Sequence, residues 1–538
     1  MAHHRKPKEP REPEIVAGLL LQDMAYGGET VARLPLTLAQ DEAQAYSAAE
    51  AETIGIEANT TAEFLPSPEY HPTSKPQSEV VFVAGGIPGE TVDVQIYWRK
   101  KNFVRGKVIR LVETSPDRRD APCPYFGVDK WPNCGGCQWQ HTDYARQLEF
   151  KAKILGDQFE RIGGMPNPPM LEPLAAVSLW GYRNNVEFQI DRVTGDPCYH
   201  RQNSIRLVPV QSCHIAHPLI NLAVAPLTAA LQKHLIGSVH QVTIRVGSVA
   251  GDIAIGAEEI TALASYNQDY TARLAALERF AALNPLETAL QQPRPALMFI
   301  LRMLHQVDLS GFVADMQTAL DPYTEITIVA EGKKRRLEIL CGEPYTIEVL
   351  NGLTYHVPPL AFYQSNSPMA QVLVNEVLAA FDKAGLKLKN ARVLDIFCGV
   401  GTFGLQLARL GAQVLGIEEY EGAIEAARHN ARLNGLSKQT EWVVAKAEEY
   451  ILELAARATP YDAVLVDPPR RGCDPALLQS LLETRPPYLV YVSCDPSTLA
   501  RDVKILSDGY ELVQSRAVDL FPQTYHMESV SLLRARPL

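Results

Sequence analysis

Cys494 ends the apolar run YLVYVS and stands directly before Asp-Pro-Ser-Thr, the composition of a helix start. A thiol there meets backbone N–H groups and the positive end of a helix dipole, which favour the thiolate, while Asp495 opposes it. Alone, such a cysteine reads as a buried structural residue. Two features upstream change that reading. In LDIFCGVGTFG, Gly399, Gly401 and Gly404 form a GxGxxG pattern between an apolar strand run and a helical run. Glycines there let the backbone turn tightly and approach a ligand. Glu418 ends the next strand run, where a carboxylate can accept from both hydroxyls of a ribose. A dinucleotide-binding fold competes for these features.

VLVDPPRRG decides between them, with Asp467, Pro468 and Pro469 at the carboxyl end of a later strand run. A dehydrogenase has no need of an acidic-Pro-Pro loop at that edge, whereas methyltransferases acting on bases often place one there. A thiolate beside a methyl donor points to a pyrimidine ring carbon. Carbon 5 of uracil becomes nucleophilic only after a nucleophile adds at carbon 6. A base must then remove the carbon-5 proton. Glu528, in DLFPQTYHMESV, is the candidate, with His526 behind it.

A second group is Cys123, Cys134 and Cys137, the last two in CGGCQWQH, with Cys213 in VPVQSCHI as the candidate fourth ligand. Four thiolates suit zinc or an iron–sulfur cluster, and spacing alone does not choose. His141 and His214 rank below the cysteines, and Cys198, Cys341, Cys398 and Cys473 read as structural.

The elements that must carry these residues change character along the chain of 538 residues. From about Tyr355 onward, strand and helix runs alternate, which predicts a parallel sheet covered by helices. Residues 12–35 and 78–117 read as two halves of a small β module. The acidic, Ala/Ser/Thr/Pro-rich segment 36–79 between them has no apolar period and reads as a disordered insertion. Arg99, Lys100, Lys101, Arg105 and Lys107 interleave there with Tyr97, Trp98 and Phe103, the chemistry of phosphate and base contacts. A helix is expected around Tyr144–Ile162, a linker at MPNPPMLEP, and mixed strands and helices over 174–345, with an Ala-rich helical insertion near Ala272–Leu283.

Composition bounds the rest. Hydrophobic residues are 46% and charged residues 21%, an ordinary globular balance. The net charge of −11 excludes a bulk polyanion binder and leaves nucleic-acid contact to local patches. The first residues, MAHHRKPKEPREPEIV, lack the apolar core of a signal peptide, and no run approaches the length of a membrane span. Nine cysteines are too few for a disulfide framework, so a reducing cytoplasmic location is expected.

AFYQSN, LDIFCGVGTFGL, VDPPRRG, YVSCDPSTLARD and FPQTYHMES together resemble the RNA uracil-5-methyltransferase family that uses S-adenosyl-L-methionine, across the whole catalytic third and in order. The resemblance implies Cys494 as nucleophile, Glu528 as base, and Gln364, Phe397, Gly399, Gly401, Glu418 and Asp467 as cofactor-binding residues. Thr402 and Ala447 fall where some members carry polar Asn or Asp. It also implies a [4Fe–4S] cluster on Cys123, Cys134, Cys137 and Cys213, a TRAM-type RNA-binding domain, and Arg183 of WGYRNN meeting RNA. The implied fold is a multidomain α/β and β protein: an oligonucleotide-binding-like TRAM barrel at 12–117, an α+β central domain with the cluster at 118–345, and a Rossmann-like methyltransferase domain at 346–538. The expected substrate is 23S ribosomal RNA, otherwise transfer RNA, and the expected state a monomer. Two alternatives stand beside this: an iron–sulfur RNA binder or folding helper whose methyltransferase domain is inactive, and an enzyme making a different RNA methylation.

Overall fold

The structure, a computed structural model, describes residues 14–35, 78–128, 133–247, 296–456 and 460–537. Most of the segment expected as an insertion, the AIGA strand run and the Ala-rich helix lie outside the described residues. The chain packs as two compact units, Met1–Asp143 with His200–Val208, and Tyr144–Tyr199 with Pro209–Leu538.

The first unit contains six strands: β1 (Ile15–Leu20), β2 (Asp23–Met24), β3 (Thr30–Pro35), β4 (Ser78–Ala84), β5 (Thr91–Arg99) and β6 (Phe103–Glu113). They form one sheet in the order β1-β5-β6-β4-β3-β2. Alternate residues of these strands, among them Leu19, Val81, Val83, Val92, Val94 and Val104, gather into one apolar core. Period-two patterning is what lets a strand bury one face only. The buried Glu90 receives both Nε and a terminal nitrogen of Arg118 at 2.5 and 2.7 Å.

The basic strip of β5 and β6 is less free than its sequence implies. Arg99 pairs with Glu79 and Glu14, and Arg105 with Glu29. Lys100 lies 4.9 Å over the Trp98 ring, and Trp98 packs on Phe103. The neutralising acids come from β4 and from the residues just before β1 and β3, so no local sequence window shows them.

The second unit opens with α1 (Tyr144–Arg161), then β7 (Met170–Leu174), β8 (Asn185–Ile190) and β9 (Pro197–His200). There follow β10 (Leu207–Pro209), α2 (Pro218–His234), β11 (Val239–Val246), β12 (Ala296–Met303), α3 (Ser310–Leu320), β13 (Glu325–Glu331) and β14 (Leu337–Cys341). Strands β9-β8-β11-β12-β13-β14 are neighbours in that order. A hairpin, β15 (Thr346–Leu350) and β16 (Leu353–Val357), leads to α4 (Ser367–Lys383).

The remainder alternates as expected: β17 (Arg392–Ile396), α5 (Thr402–Arg409), β18 (Gln413–Glu418), α6 (Glu421–Leu433), β19 (Thr440–Val444), α7 (Ala447–Ala456), β20 (Ala463–Val466), α8 (Pro475–Thr484), β21 (Tyr488–Ser493) and α9 (Pro496–Leu506). Two long strands, β22 (Tyr510–Val518) and β23 (Glu528–Ala535), close it. The sheet order is β19-β18-β17-β20-β21-β23-β22-β7, parallel from β19 to β21, with β23 antiparallel to both neighbours.

The proline-rich segment expected to be a linker is a correction. Met170–Leu174 is β7, the edge strand of this sheet, parallel to β22. Ser515 N–H donates to Pro169 O at 2.9 Å. Prolines lack a donor and are tolerated where one strand side needs none, which is an edge. Among the described residues no helix is long and apolar enough to cross a membrane.

Candidate active site

Chain order and sheet order part company at β17. Strands β18 and β19 build out on one side of it and β20 and β21 on the other. Such a switch point leaves a crevice at the carboxyl ends of the strands, where ligands of open α/β sheets bind. Phe397, Glu418, Asp467 and Cys494 all lie at that edge, each at or just past the end of β17, β18, β20 or β21.

The loop after β17 is held by backbone bonds and by Asn430 Nδ2, which donates to Val400 O at 3.2 Å. Phe397 and Cys398 N–H groups both donate to Ile417 O, at 2.9 and 3.1 Å. Phe397 takes a left-handed φ of 66°, and Gly401, with φ 85°, caps α5. A Cβ on Gly401 would stand 2.9 Å from the Trp442 ring, and one on Gly404 would stand 2.8 Å from Asp395 Oδ2. Both positions therefore require glycine. Gly399 faces open space on its Cβ side, so the loop leaves room for a ligand.

Asp395, in the last turn of the LDIF run, escaped the sequence reading. It is fully buried without a hydrogen-bond partner, although the Gly404 N–H lies close enough to favour its charge slightly. Burial first, and then the charge of Asp467, push its carboxyl up to about 7. Asp467 keeps an edge in solvent, yet the protein packed round it, followed by the charge of Glu418, raises it to about 7 as well. Glu418 Oε1 accepts the Tyr420 N–H at 3.0 Å. Three carboxyl groups, two of them poised to lose a proton near neutrality, thus border the glycine loop. The signal in the sequence was an acid inside an otherwise apolar strand run.

Cys494 and Glu528 are brought together by strand register. Ser493 pairs with Ser529 across the antiparallel β21–β23 ladder, so the next step of the ladder sets Cys494 opposite Glu528. Ser529 Oγ donates to Ser493 O at 3.1 Å and ties the two ends. Of the two opposing influences on the thiol, Asp495 prevails. Asp495 caps α9 by accepting the Ser497 and Thr498 N–H groups at 2.9 and 3.1 Å, so those donors serve the cap and not the sulfur. Desolvation, then the charges of Glu528 and Asp467, push the Cys494 thiol up to about 12. Glu528 is buried, and desolvation with the nearby Asp467 raises its carboxyl well above the usual range.

Arg470, the residue after Asp-Pro-Pro, is the cation that opposes both shifts. Its guanidinium donates to His526 Nδ1 at 3.0 Å. Burial and then Arg470 lower His526 to about 3, so this imidazole is a neutral acceptor for Arg470 and no base at physiological pH.

Gln364 is buried in the loop before α4. Its neighbour Tyr363 lies 6.2 Å ring to ring from Tyr355, whose hydroxyl donates to Thr402 O at the start of α5. Asn366 Nδ2 donates to Leu520 O. The YRN motif has a role the sequence hid. Tyr182 OH donates to Pro522 O at 3.0 Å, and Asn184 holds Ser367 and the Ser365 backbone. Both struts brace the loops around the site, while Arg183 stacks 5.9 Å over Phe521.

In the first unit, Cys134 and Cys137 line a cavity of about 370 Å³ together with Phe126, Val128 and His141. Gly136 N–H donates to Cys134 Sγ at 3.3 Å, and Cys123 N–H to Gln140 Oε1 at 3.3 Å. In the second unit, Asn221 brackets the Cys213 backbone with two hydrogen bonds. Among the described residues no three Cys, His, Asp or Glu side chains are gathered as a metal centre needs. The donor types fit a soft metal.

Known proteins similar to this chain include RNA methyltransferases. The family model for tRNA (uracil-5-)-methyltransferase matches residues 312–536. An RNA methyltransferase of Gloeobacter violaceus is 33% identical over 475 residues, 84% of this chain and 91% of that protein. One of Halalkalibacterium halodurans is 30% identical over 477 residues, 86% and 94%. Among solved structures, the tRNA (uracil-54, C5)-methyltransferase of Pyrococcus abyssi in complex with S-adenosyl-L-homocysteine is similar with a TM-score of 0.58 and 25% identity, covering 84% of this chain and 94% of that one. With its relatives matching nearly end to end and its carboxyl-edge site inside the matched span, the chain belongs to the RNA uracil-5-methyltransferase family.

Proposed function

We propose that this protein transfers a methyl group from S-adenosyl-L-methionine to carbon 5 of one uridine in structured RNA, 23S ribosomal RNA first and transfer RNA second, through a covalent bond between Cys494 and carbon 6. The observation that carries the reading is the ladder register facing Cys494 with Glu528 at the edge occupied by Asp467. S-adenosyl-L-methionine, when bound, supplies an electrophilic methyl group. The glycine loop, Glu418, Asp467, Phe397 and the buried Gln364 would hold it. Cys494 first loses its proton, with Arg470 as the charge that favours this, and its sulfur adds to carbon 6. The electron pair so released makes carbon 5 nucleophilic. After transfer, Glu528 as carboxylate takes the carbon-5 proton, the carbon 5–carbon 6 double bond re-forms, and the sulfur leaves. Mapping modified nucleosides in RNA from a strain lacking the gene tests this. One 5-methyluridine should vanish, and an unchanged map would sink the proposal.

The three parts expected from the sequence, with the β1–β6 sheet as RNA-binding barrel, remain the working division. A [4Fe–4S] cluster on Cys123, Cys134, Cys137 and Cys213 rests on the family resemblance of the CGGCQWQH run and the distant fourth cysteine. Anaerobically purified protein should carry about four irons and four sulfides, and stoichiometric zinc would overturn it.

Cofactor binding should depend on pH through Asp395 and Asp467. Burial first, then the charge of Asp467 on the one and of Glu418 on the other, pushes both carboxyls up to about 7. Binding a sulfonium cation favours their charged forms, so protons must leave on binding below neutrality. S-adenosyl-L-methionine should bind about tenfold more weakly at pH 6 than at pH 7.5, with proton release visible by calorimetry in buffers of different ionisation enthalpy. S-adenosyl-L-homocysteine, whose sulfur is neutral, should show a smaller change. Equal dependence for both ligands would remove the carboxyls from the account.

A further inference from the structure

Helix α1 begins about 375 residues before the catalytic loop, yet one of its faces is built against it. Tyr144, Gln147 and Lys151, spaced three and four apart, share that face. Tyr144 OH donates to Asp519 Oδ2 at 3.0 Å, and Lys151 Nζ donates to Asp519 Oδ1 at 2.5 Å and to Phe521 O at 3.0 Å. Gln147 reaches furthest toward Glu528. Its Oε1 accepts the Gln523 N–H at 3.0 Å, and its Nε2 donates to Gln523 Oε1 at 3.1 Å.

Gln523 needs this support. It is 2% exposed and sits at φ 70°, the left-handed region that glutamine avoids. The next contacts run straight into the site. Thr524 Oγ1 donates to Phe521 O at 2.8 Å and accepts the His526 N–H at 3.2 Å. His526 Nδ1 accepts from Arg470 at 3.0 Å, and Arg470 is the cation facing Cys494 and Glu528. Residues 519–522 have other anchors in Lys151, Tyr144, Tyr182 and Asn366. Gln147 therefore anchors Gln523, the residue from which the last stretch runs to the start of β23.

We propose that Gln147 is a positioning residue for proton removal: through Gln523, Thr524 and His526 it sets Arg470 against the Cys494–Glu528 pair. This rests on the covalent reading above. In the step concerned the carbon-5–hydrogen bond breaks, the proton passes to the Glu528 carboxylate, the double bond re-forms, and the carbon 6–sulfur bond releases its pair to Cys494.

Gln147→Met keeps length and loses both hydrogen bonds. With a uridine-containing stem–loop RNA and S-adenosyl-L-methionine, it should release the covalent adduct about tenfold more slowly and form it more slowly by a smaller factor, since Arg470 also faces Cys494. The adduct should then accumulate during turnover, and RNA deuterated at carbon 5 should show a larger isotope effect on turnover than with the unsubstituted enzyme. Gln147→Glu keeps the acceptor for the Gln523 N–H and should restore part of the release rate, which also reads the effect should the methionine variant fold poorly. Equal loss of adduct formation and release in both variants, or an unchanged isotope effect, would overturn this proposal alone. Absence of any adduct with the unsubstituted and Glu528→Gln enzymes would overturn it together with the covalent reading.

Discussion

Cys494→Ala protein should bind RNA and cofactor normally yet transfer methyl groups at least about 10⁴-fold more slowly, because no other group at the sheet edge can add to carbon 6. Glu528→Gln should behave differently. It retains size and hydrogen bonding but is no practical base, so release should fall by about 10²- to 10⁴-fold while transfer proceeds once. A protein–RNA species carrying the new methyl group should survive denaturing electrophoresis, with the attachment mapping to Cys494. The raised thiol and carboxyl impose a pH sign on both steps. Cys494, raised to about 12, rests as a thiol, so adduct formation should accelerate as pH rises through the alkaline range, and the raised Glu528 carboxyl gives release the same sign. Turnover of Glu528→Gln at the unsubstituted rate would place the base elsewhere. An adduct on Cys398 or Cys473 would displace the nucleophile, although burial raises both of those thiols.

The second large effect concerns stability. Lys151 and Asp519 are each 1% exposed at the side chain and 2.5 Å apart. Burial lowers the Lys151 pKa, and Asp519 offsets that shift. Lys151→Met strands Asp519 as a buried charge, which should cost about 3–5 kcal/mol in denaturant unfolding. The double variant Lys151→Met, Asp519→Asn should recover part of the loss, since no lone charge remains and Asn still accepts the Phe521 N–H seen at 3.1 Å. A single variant as stable as the original would mean that the pair is not closed in solution. This anchor holds the start of the catalytic loop, so its loss should depress every step together, unlike the loss of Gln147.

Where residues act through their own neighbours in sequence, the reading from sequence held. Alternation after Tyr355 foretold the parallel strands and covering helices, and α1 appeared within a residue of its expected span. The glycine loop and the Asp-Pro-Pro loop sit at the strand ends where their types placed them. What failed was set by distance in the chain. Prolines disguised β7, because an edge position excuses their missing donors. The balance at Cys494 between helix N–H groups and Asp495 was open in the sequence, and the cap that Asp495 makes on those N–H groups tips it toward the thiol. Arg99 and Arg105 looked unopposed, but Glu14, Glu29 and Glu79 reach them from other strands and turns. Facing of Cys494 and Glu528 depends on the β21–β23 register, which no local pattern encodes. Tyr182 and Asn184, the neighbours of Arg183 in WGYRNN, act within the protein as braces to residues far along the chain.

The central claim is carbon-5 methylation of uridine at this edge, and one measurement reaches it directly. Purified protein is incubated with S-adenosyl-L-methionine labelled in its methyl group and with total RNA from cells lacking the gene, and the RNA is then digested to nucleosides. The account predicts label in 5-methyluridine alone, at a single position in one RNA, and none with Cys494→Ala. Label in any other methylated nucleoside, or equal labelling by the Cys494→Ala protein, would contradict it.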